Sequence, residues 1–384
     1  MKRYLIIFIL TWLISAFVFI GLALLIDPYR IFHPPWIRDN YYLPNTRIQA
    51  SGVINTDDFD SIILGTSMAA NFSPKEASEL FNEKFANISL DGSSQSERAV
   101  VLKYALEKRK LSRVVYSLDG FGKAPLESRP IAPYTYLYDN NKFNDLHIYS
   151  YDLSNLKYAF CRNIFINSED LCPETRTFET MTEWASNTDH SNRFGGLEKW
   201  LLAKNNGQIK EALTEISKSL NKIYSGDIGK VDWPKVSENL AERKEQFYEH
   251  LLEYAIAYTD TEFHLFFPPY SRLRYAIWKQ SDPQAFEAYI GTVRMVVDEI
   301  SKYPNVFVYG FDTQVFLDDI AHYKDTSHYS PEFNSRILNW MSRGEHVLTP
   351  DNLEQYLEAI TERAGKYPVK HIGDLIEKYL KDVT

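Results

Sequence analysis

Hydrophobic positions fall into two regimes along this chain. From Tyr4 to Ile26 they run without a break, YLIIFILTWLISAFVFIGLALLI, behind the basic pair Lys2-Arg3. As a helix rising about 1.5 Å per residue, the run is about 35 Å long and can cross a hydrocarbon core of about 30 Å. A cleaved signal peptide has a shorter apolar core, about 7–15 residues, and a small-x-small cleavage site. This run ends instead on Leu24-Leu25-Ile26-Asp27-Pro28. The pattern predicts an uncleaved anchor over residues 1–26, with Lys2-Arg3 in the cytoplasm and everything after Asp27 outside. No later run is long and apolar enough to span.

After the anchor the apolar runs become short. Residues 27–56, with HPPWIRDNYYLPN, read as an irregular stalk. Strands are then expected at Asp60–Leu64, Phe85–Leu90, Arg113–Leu118, Glu262–Phe267 and Asn305–Tyr309. Between them, amphipathic spacing and end signals predict helices. Ser73-Pro74-Lys75-Glu76 reads as a helix start capped by Ser73, with Pro74 at the first helical position and Glu76 completing a capping box. Gln95–Lys110 closes on Lys108-Arg109-Lys110, where the dipole favours cations, so that charge run marks a helix end. Further helices are expected over Glu238–Tyr258, over Pro283–Lys302 and from Ser330-Pro331. The rhythm breaks between Gly122 and Ser237, where one helix, Gln208–Tyr224, is expected. Residues 122–237 therefore read as a largely helical insertion or cap, and 346–384 as a helical extension. Strands alternating with helices over 57–121 and 238–345 imply an α/β fold, with a mostly parallel sheet covered on both faces.

Composition narrows the function. The formal net charge of -9 argues against a nucleic-acid partner, which would need Lys and Arg in excess. Aromatic residues make up 15% of the chain, enough for an aromatic-rich core and surface or for sugar-stacking faces. Cys161 and Cys172 fall in the exported part, where disulfides persist; they either pair or remain two buried thiols. Their spacing matches no zinc site and the histidines are scattered, so neither a metal nor another cofactor is expected.

In a parallel sheet, ligands sit beyond the carboxyl ends of the strands. Those ends are Gly65-Thr66-Ser67, Asp91-Gly92-Ser93, Asp119-Gly120, Pro268-Pro269-Tyr270 and Gly310-Phe311-Asp312. Ser67 thus becomes an exposed hydroxyl on one rim. A serine hydroxyl needs a base to take its proton, and an aspartate on the other ring nitrogen of a histidine base fixes its tautomer. YKDTSHYSPEF, Tyr323 to Phe333, offers Asp325 and His328 three residues apart in a turn before the last helix. The expected roles are Ser67 nucleophile, His328 general base and Asp325 orienter. Asp189-His190 is a competing pair, and Pro268–Arg272 reads as a rigid loop or the wall of a substrate groove.

Gly65-Thr66-Ser67 together with Asp325-Thr326-Ser327-His328 resembles the SGNH (GDSL-type) hydrolase superfamily. The likeness covers about Asp57 to Asn339, with the insertion unmatched. It is strongest to single-pass extracytoplasmic members such as the D-alanine-transfer protein of teichoic acid synthesis and the O-acetylation proteins of alginate. Ile26–Phe32, IDPYRIF, resembles the segment after the anchor in those proteins. The resemblance implies a flavodoxin-like three-layer sandwich. It also implies a serine esterase or O-acyltransferase that acts on cell-surface polysaccharide through an acyl-serine. The implied location is the bacterial inner or cytoplasmic membrane, with the body on the periplasmic or extracellular side. The implied partners are the bilayer, a membrane-bound acyltransferase and a polysaccharide acceptor. In that superfamily the oxyanion hole uses the serine amide, a glycine matched here by Gly92, and an asparagine whose place Asp119 takes. An ionised aspartate cannot donate to an oxyanion. Asp119 is thus protonated in a dry site, or replaced by another donor, or a sign of weak or absent catalysis. Two other readings stand beside the transferase: a non-catalytic module that binds glycan or scaffolds an acyltransferase, and a simple esterase or lipase.

Overall fold

Apolar runs rich in β-branched and aromatic residues form five strands: β1 (Ser61–Leu64), β2 (Phe85–Asn87), β3 (Arg113–Ser117), β4 (Glu262–Phe267) and β5 (Val306–Gly310). The structure, a computed structural model, describes residues 2–121, 125–149 and 174–382. Cys161 and Cys172 lie outside the described residues, as does part of the expected insertion. The strands make one sheet in the order β2-β1-β3-β4-β5, and every neighbouring pair is parallel. Ser61 pairs with Phe85 on one side and Arg113 on the other, and Arg113 pairs with Glu262. Parallel neighbours in register bring the carboxyl ends of β1, β3 and β4 to a common rim.

Side chains alternate between the two faces of each strand. Ile62, Leu64, Val114, Tyr116, Phe263, Leu265, Val306 and Val308 enter one buried core. Ile63, Val115, Phe266 and Tyr309 enter a second. Both faces are covered, which is why the strands read as near-continuous apolar runs.

The longer helices are α1 (Lys2–Ile26), α2 (Thr46–Thr56), α3 (Pro74–Phe81), α4 (Gln95–Lys108), α5 (Gly207–Ser225), α6 (Trp233–Phe247), α7 (Arg272–Ser281), α8 (Pro283–Ile300), α9 (Pro331–Ser342), α10 (Pro350–Lys366) and α11 (Val369–Asp382). α1 is long and apolar enough to cross a membrane. The expected helix over Glu238–Tyr258 starts earlier, at Trp233, and is interrupted by a wide turn, Tyr248–Leu252, before Glu253–Ala257. The C-terminal helices belong to the body, because α10 packs on α7 and α11 on α5.

The expected stalk is not a stalk. Tyr29, Ile31, Tyr42 and Leu43 are buried in the first core, and α2 buries every residue from Ile48 to Ile54. The small residues Ala50, Ser51 and Gly52 let α2 lie close to its neighbours. A Cβ on Gly52 would stand 1.8 Å from the Tyr29 carbonyl oxygen, so only glycine fits. Polar and Pro-rich composition concealed a helix whose packing depends on small residues rather than on an apolar stripe.

Candidate active site

Ser67 follows β1 in a tight turn whose geometry is set by residues around it. A Cβ on Gly65 would approach the Ser117 hydroxyl to 2.4 Å and the Ala69 Cβ to 2.5 Å, so β1 must end on glycine to pass β3. Thr66 organises the turn: its carbonyl accepts from Ala69 N at 3.0 Å and its hydroxyl oxygen from Met68 N at 3.2 Å. No helix absorbs the carbonyls that follow, so distant side chains serve them. Trp184 Nε1 donates to Ser67 O at 2.7 Å. Tyr329 Oη donates to Met68 O at 2.8 Å, and Asn87 Nδ2 to Ala69 O and Phe72 O, each at 2.9 Å. Three separate segments thereby fix the position of the nucleophile.

The turn carrying the histidine is fixed in the same way. Ser327 N and His328 N donate to Asp325 Oδ1 at 2.8 and 2.9 Å, and Lys324 N donates to His328 O at 3.0 Å. Ser271, which caps α7, donates its hydroxyl to Thr326 O at 2.6 Å, while Tyr323 Oη donates to Pro269 O at 2.9 Å. The Pro268–Arg272 loop therefore holds the histidine turn. Pro268 and Tyr270 also line a cavity of about 180 Å³ with Asp119, Trp278 and Tyr289. Ser330 stands at the N-cap position of α9, but its hydroxyl makes no cap hydrogen bond.

These two turns bring the expected triad together. His328 Nε2 lies 2.9 Å from Ser67 Oγ, and His328 Nδ1 lies 2.8 Å from Asp325 Oδ2. Asp325 is buried while Ser67 and His328 are partly exposed, so the hydroxyl faces outward and the orienter is shielded. Burial alone would raise the Asp325 carboxyl. The adjoining His328, its ring and backbone N–H groups and the Lys324 ammonium outweigh burial and hold it below the usual carboxylate range. A carboxylate ionised in this way keeps the proton on His328 Nδ1 and leaves Nε2 to accept from Ser67.

Gly92 lies on the same rim. Leu90 N donates to Gly65 O at 2.8 Å, so the β2 chain runs on beside the Ser67 turn. Gly92 has φ +61 and open space where a Cβ would be, so backbone conformation is what requires glycine there. Among the described residues, neither the Ser67 nor the Gly92 amide donates to another protein group.

Asp119 is an acceptor beneath the nucleophile. Its carboxylate takes hydrogen bonds from the Thr66 hydroxyl and, at 2.7 Å, from the Ser117 hydroxyl, with Arg98 Nη1 at 3.5 Å. Arg98, wholly buried, also donates to the Asp119 carbonyl. Asp119 thus braces Thr66 and the end of β3. In this arrangement it offers no donor to an oxyanion.

Sequence reasoning missed the cover over the triad. Trp184, from the insertion, sets its ring edge-on to His328 with centroids 5.6 Å apart, and Lys324 Nζ lies 4.0 Å from the centre of the same ring. Lys324 is buried and donates to His190 Nδ1 at 3.0 Å and Gln208 Oε1 at 3.3 Å. Burial pushes the Lys324 ammonium down to about 8. Burial, with Lys324 and Arg193 nearby, pushes His190 down to about 4, so His190 is a neutral acceptor near pH 7. Asp189 is held by Arg193, so the Asp189-His190 pair belongs to this support. A single tryptophan in an irregular segment carries no sequence signal for such a role.

No family model matches the chain, and comparison with curated proteins finds none that matches.

Proposed function

We propose that this protein is a serine esterase or O-acyltransferase working through an acyl-serine on Ser67. The observation that carries the reading is the hydrogen-bonded relay Ser67–His328–Asp325, assembled from positions 261 apart in the chain. Ser67 Oγ adds to the carbonyl carbon of an ester as its proton passes to His328 Nε2. The tetrahedral oxyanion is met by the amides of Ser67 and Gly92. The C–O bond to the leaving alcohol then breaks, and His328 returns the proton to that alcohol. An acceptor hydroxyl, or water, repeats the sequence in reverse and frees Ser67. The likeness of Gly65-Thr66-Ser67 and Asp325-Thr326-Ser327-His328 to SGNH hydrolases supports this chemistry, as does the strand order. The likeness to extracytoplasmic polymer-acylating members, together with α1, favours a membrane-anchored enzyme acting on cell-surface polysaccharide outside the cytoplasm.

The role of Asp119 favours a second reading, a non-catalytic module with the same fold, because the third donor position is spent on bracing Thr66. Fluorophosphonate labelling of the full chain in detergent separates the two. Labelling of the wild type and loss in Ser67→Ala supports the enzyme; no labelling of either supports the module. With labelling established, release of free acid is compared with acylated product, with and without an oligosaccharide acceptor. That comparison distinguishes transfer from a simple esterase.

A further inference from the structure

We propose that the folded body is seated on the bilayer surface by Trp36 and Phe143, in one fixed orientation, at the point where α1 enters it. This rests on α1 spanning the membrane. It does not depend on the chemistry at Ser67.

The joint between α1 and the body is built rather than loose. Ala23 and Ile26, in the last turn of α1, are buried in the body. The carbonyls freed at the helix end are claimed by one guanidinium: Arg38 Nε donates to Ile26 O at 3.0 Å, and its Nη2 to Asp27 O and Pro28 O at 3.0 and 3.1 Å. The Asp27 carboxylate, fully buried, accepts from Ile31 N, Phe32 N and His33 N and from Tyr149 Oη. The close approach of Tyr29 O to Gly52 locks the next residues against α2. A helix end with its carbonyls so occupied has no free hinge.

Two large aromatic side chains lie next to this joint and point away from the body. Trp36 is 64% exposed and Phe143 83% exposed. Trp36 stacks on His33 with centroids 3.6 Å apart, and His33 Nε2 contacts Leu24 O, in α1, at 2.7 Å. Phe143 follows Lys142, whose Nζ donates to Ile31 O at 2.9 Å and lies 5.7 Å from the centre of the Phe32 ring. Trp36 thus lies beside the last turn of α1, and Phe143 adjoins the lysine that reaches Ile31 and Phe32 just past it. Trp is enriched where a spanning helix leaves the apolar layer, because its ring leaves water while its N–H keeps a polar contact. A Phe ring beside it adds apolar area to bury at the headgroup–acyl boundary.

This seating fixes the rim as well as the joint. Asn55, near the end of α2, donates to Ile31 O at 2.9 Å, and Arg47, near its start, donates to Asp91 O at 2.9 Å on the rim. The rise between those residues is about 12 Å. α2 is thus a strut that holds the Ser67 rim at a set reach from the joint.

The test uses the full chain with Cys161→Ser and Cys172→Ser, in vesicles of phosphatidylcholine and phosphatidylglycerol. Nitroxide labels are placed singly by Trp36→Cys, Phe143→Cys, Phe17→Cys in α1, and Leu202→Cys. Leu202 is 66% exposed and ends a short helix, Leu197–Leu202, packed on the opposite core. Collisions with oxygen and with a neutral nickel chelate report depth. Labels at 36 and 143 are expected to show severalfold fewer nickel collisions than 202, with oxygen collisions between those of 202 and 17. Values equal to 202 while 17 reads lipid overturn the seating alone. A label at 17 that reads water overturns the anchor and the seating together. Shielding of 36 and 143 from both reagents indicates a protein partner on this face and also overturns the proposal.

Discussion

The Asp325 carboxylate sits between two backbone amides and an imidazole, so its replacement tests orientation separately from charge. Asp325→Asn keeps the shape but permits the wrong tautomer of His328. The expected loss of fluorophosphonate labelling rate is on the order of 10³–10⁴-fold, with the fold retained by circular dichroism. The folded carboxyl lies below its unfolded value, so its stabilising contribution is full above about pH 4 and is lost as pH falls towards the folded value. Thermal melts should show a steeper acid limb in the wild type than in Asp325→Asn. Lys324 behaves in the opposite region of pH. Its folded value, about 8, lies below the ordinary lysine value of 10.5, so stability gained from the neutral amine grows between those two limits. Lys324→Met should flatten melting temperature against pH across that window and leave the protein no less stable below pH 8. Trp184→Phe keeps a ring over His328 but removes the donor to Ser67 O. A cost of about 1 kcal/mol is expected, with roughly fivefold slower labelling if that loss falls on the nucleophile's position. The triad was legible because each part is local, a strand-ending Gly-Thr-Ser and an Asp-x-x-His turn. Trp184 and Lys324 were not, because their roles exist only where separate segments meet.

Among elements, the strands were readable because burial on both faces leaves uninterrupted apolar runs, and β4 is observed with the expected bounds. Ser73 caps α3 as expected, accepting from Glu76 N at 3.0 Å, but the expected box is not closed, because the Glu76 carboxylate accepts from the Ser335 hydroxyl at 2.7 Å instead. Ser330 shows where such reasoning ends: the same signature places a helix start, while the hydroxyl's partner depends on the surroundings. α2 escaped notice because its spacing carries almost no apolar stripe. Its packing is tested by Gly52→Ala, which drives a methyl into backbone rather than into a flexible side chain. Overpacking of this kind costs about 1–3 kcal/mol or more, and the denaturant midpoint should fall without a change in slope. A second junction lies just past the carboxyl end of β5, where Tyr275 of α7, Tyr289 of α8 and Tyr356 of α10 all donate to the buried Asp312 carboxylate. Tyr356→Phe removes one of these donors and should destabilise by about 1–3 kcal/mol. Nothing in the local sequence marks those tyrosines as partners.

At the scale of the whole molecule, α1 and the body share a core. A chain shortened to begin at Asp27 loses the buried Ile26 and the carbonyl that Arg38 Nε caps. It should unfold with about 2–3 kcal/mol less stability than one beginning at Gly21, as read by chemical denaturation. The sequence by itself determined the apolar span, the parallel α/β order and the three residue types of the relay, because hydrophobic period and turn chemistry are local properties. Tertiary structure alone decided that residues 27–56 are a joint and not a stalk. It also made Asp119 a brace and placed the insertion's tryptophan over the histidine. Those outcomes depend on which backbone groups remain unpaired after packing, and on which distant side chains come close enough to satisfy them.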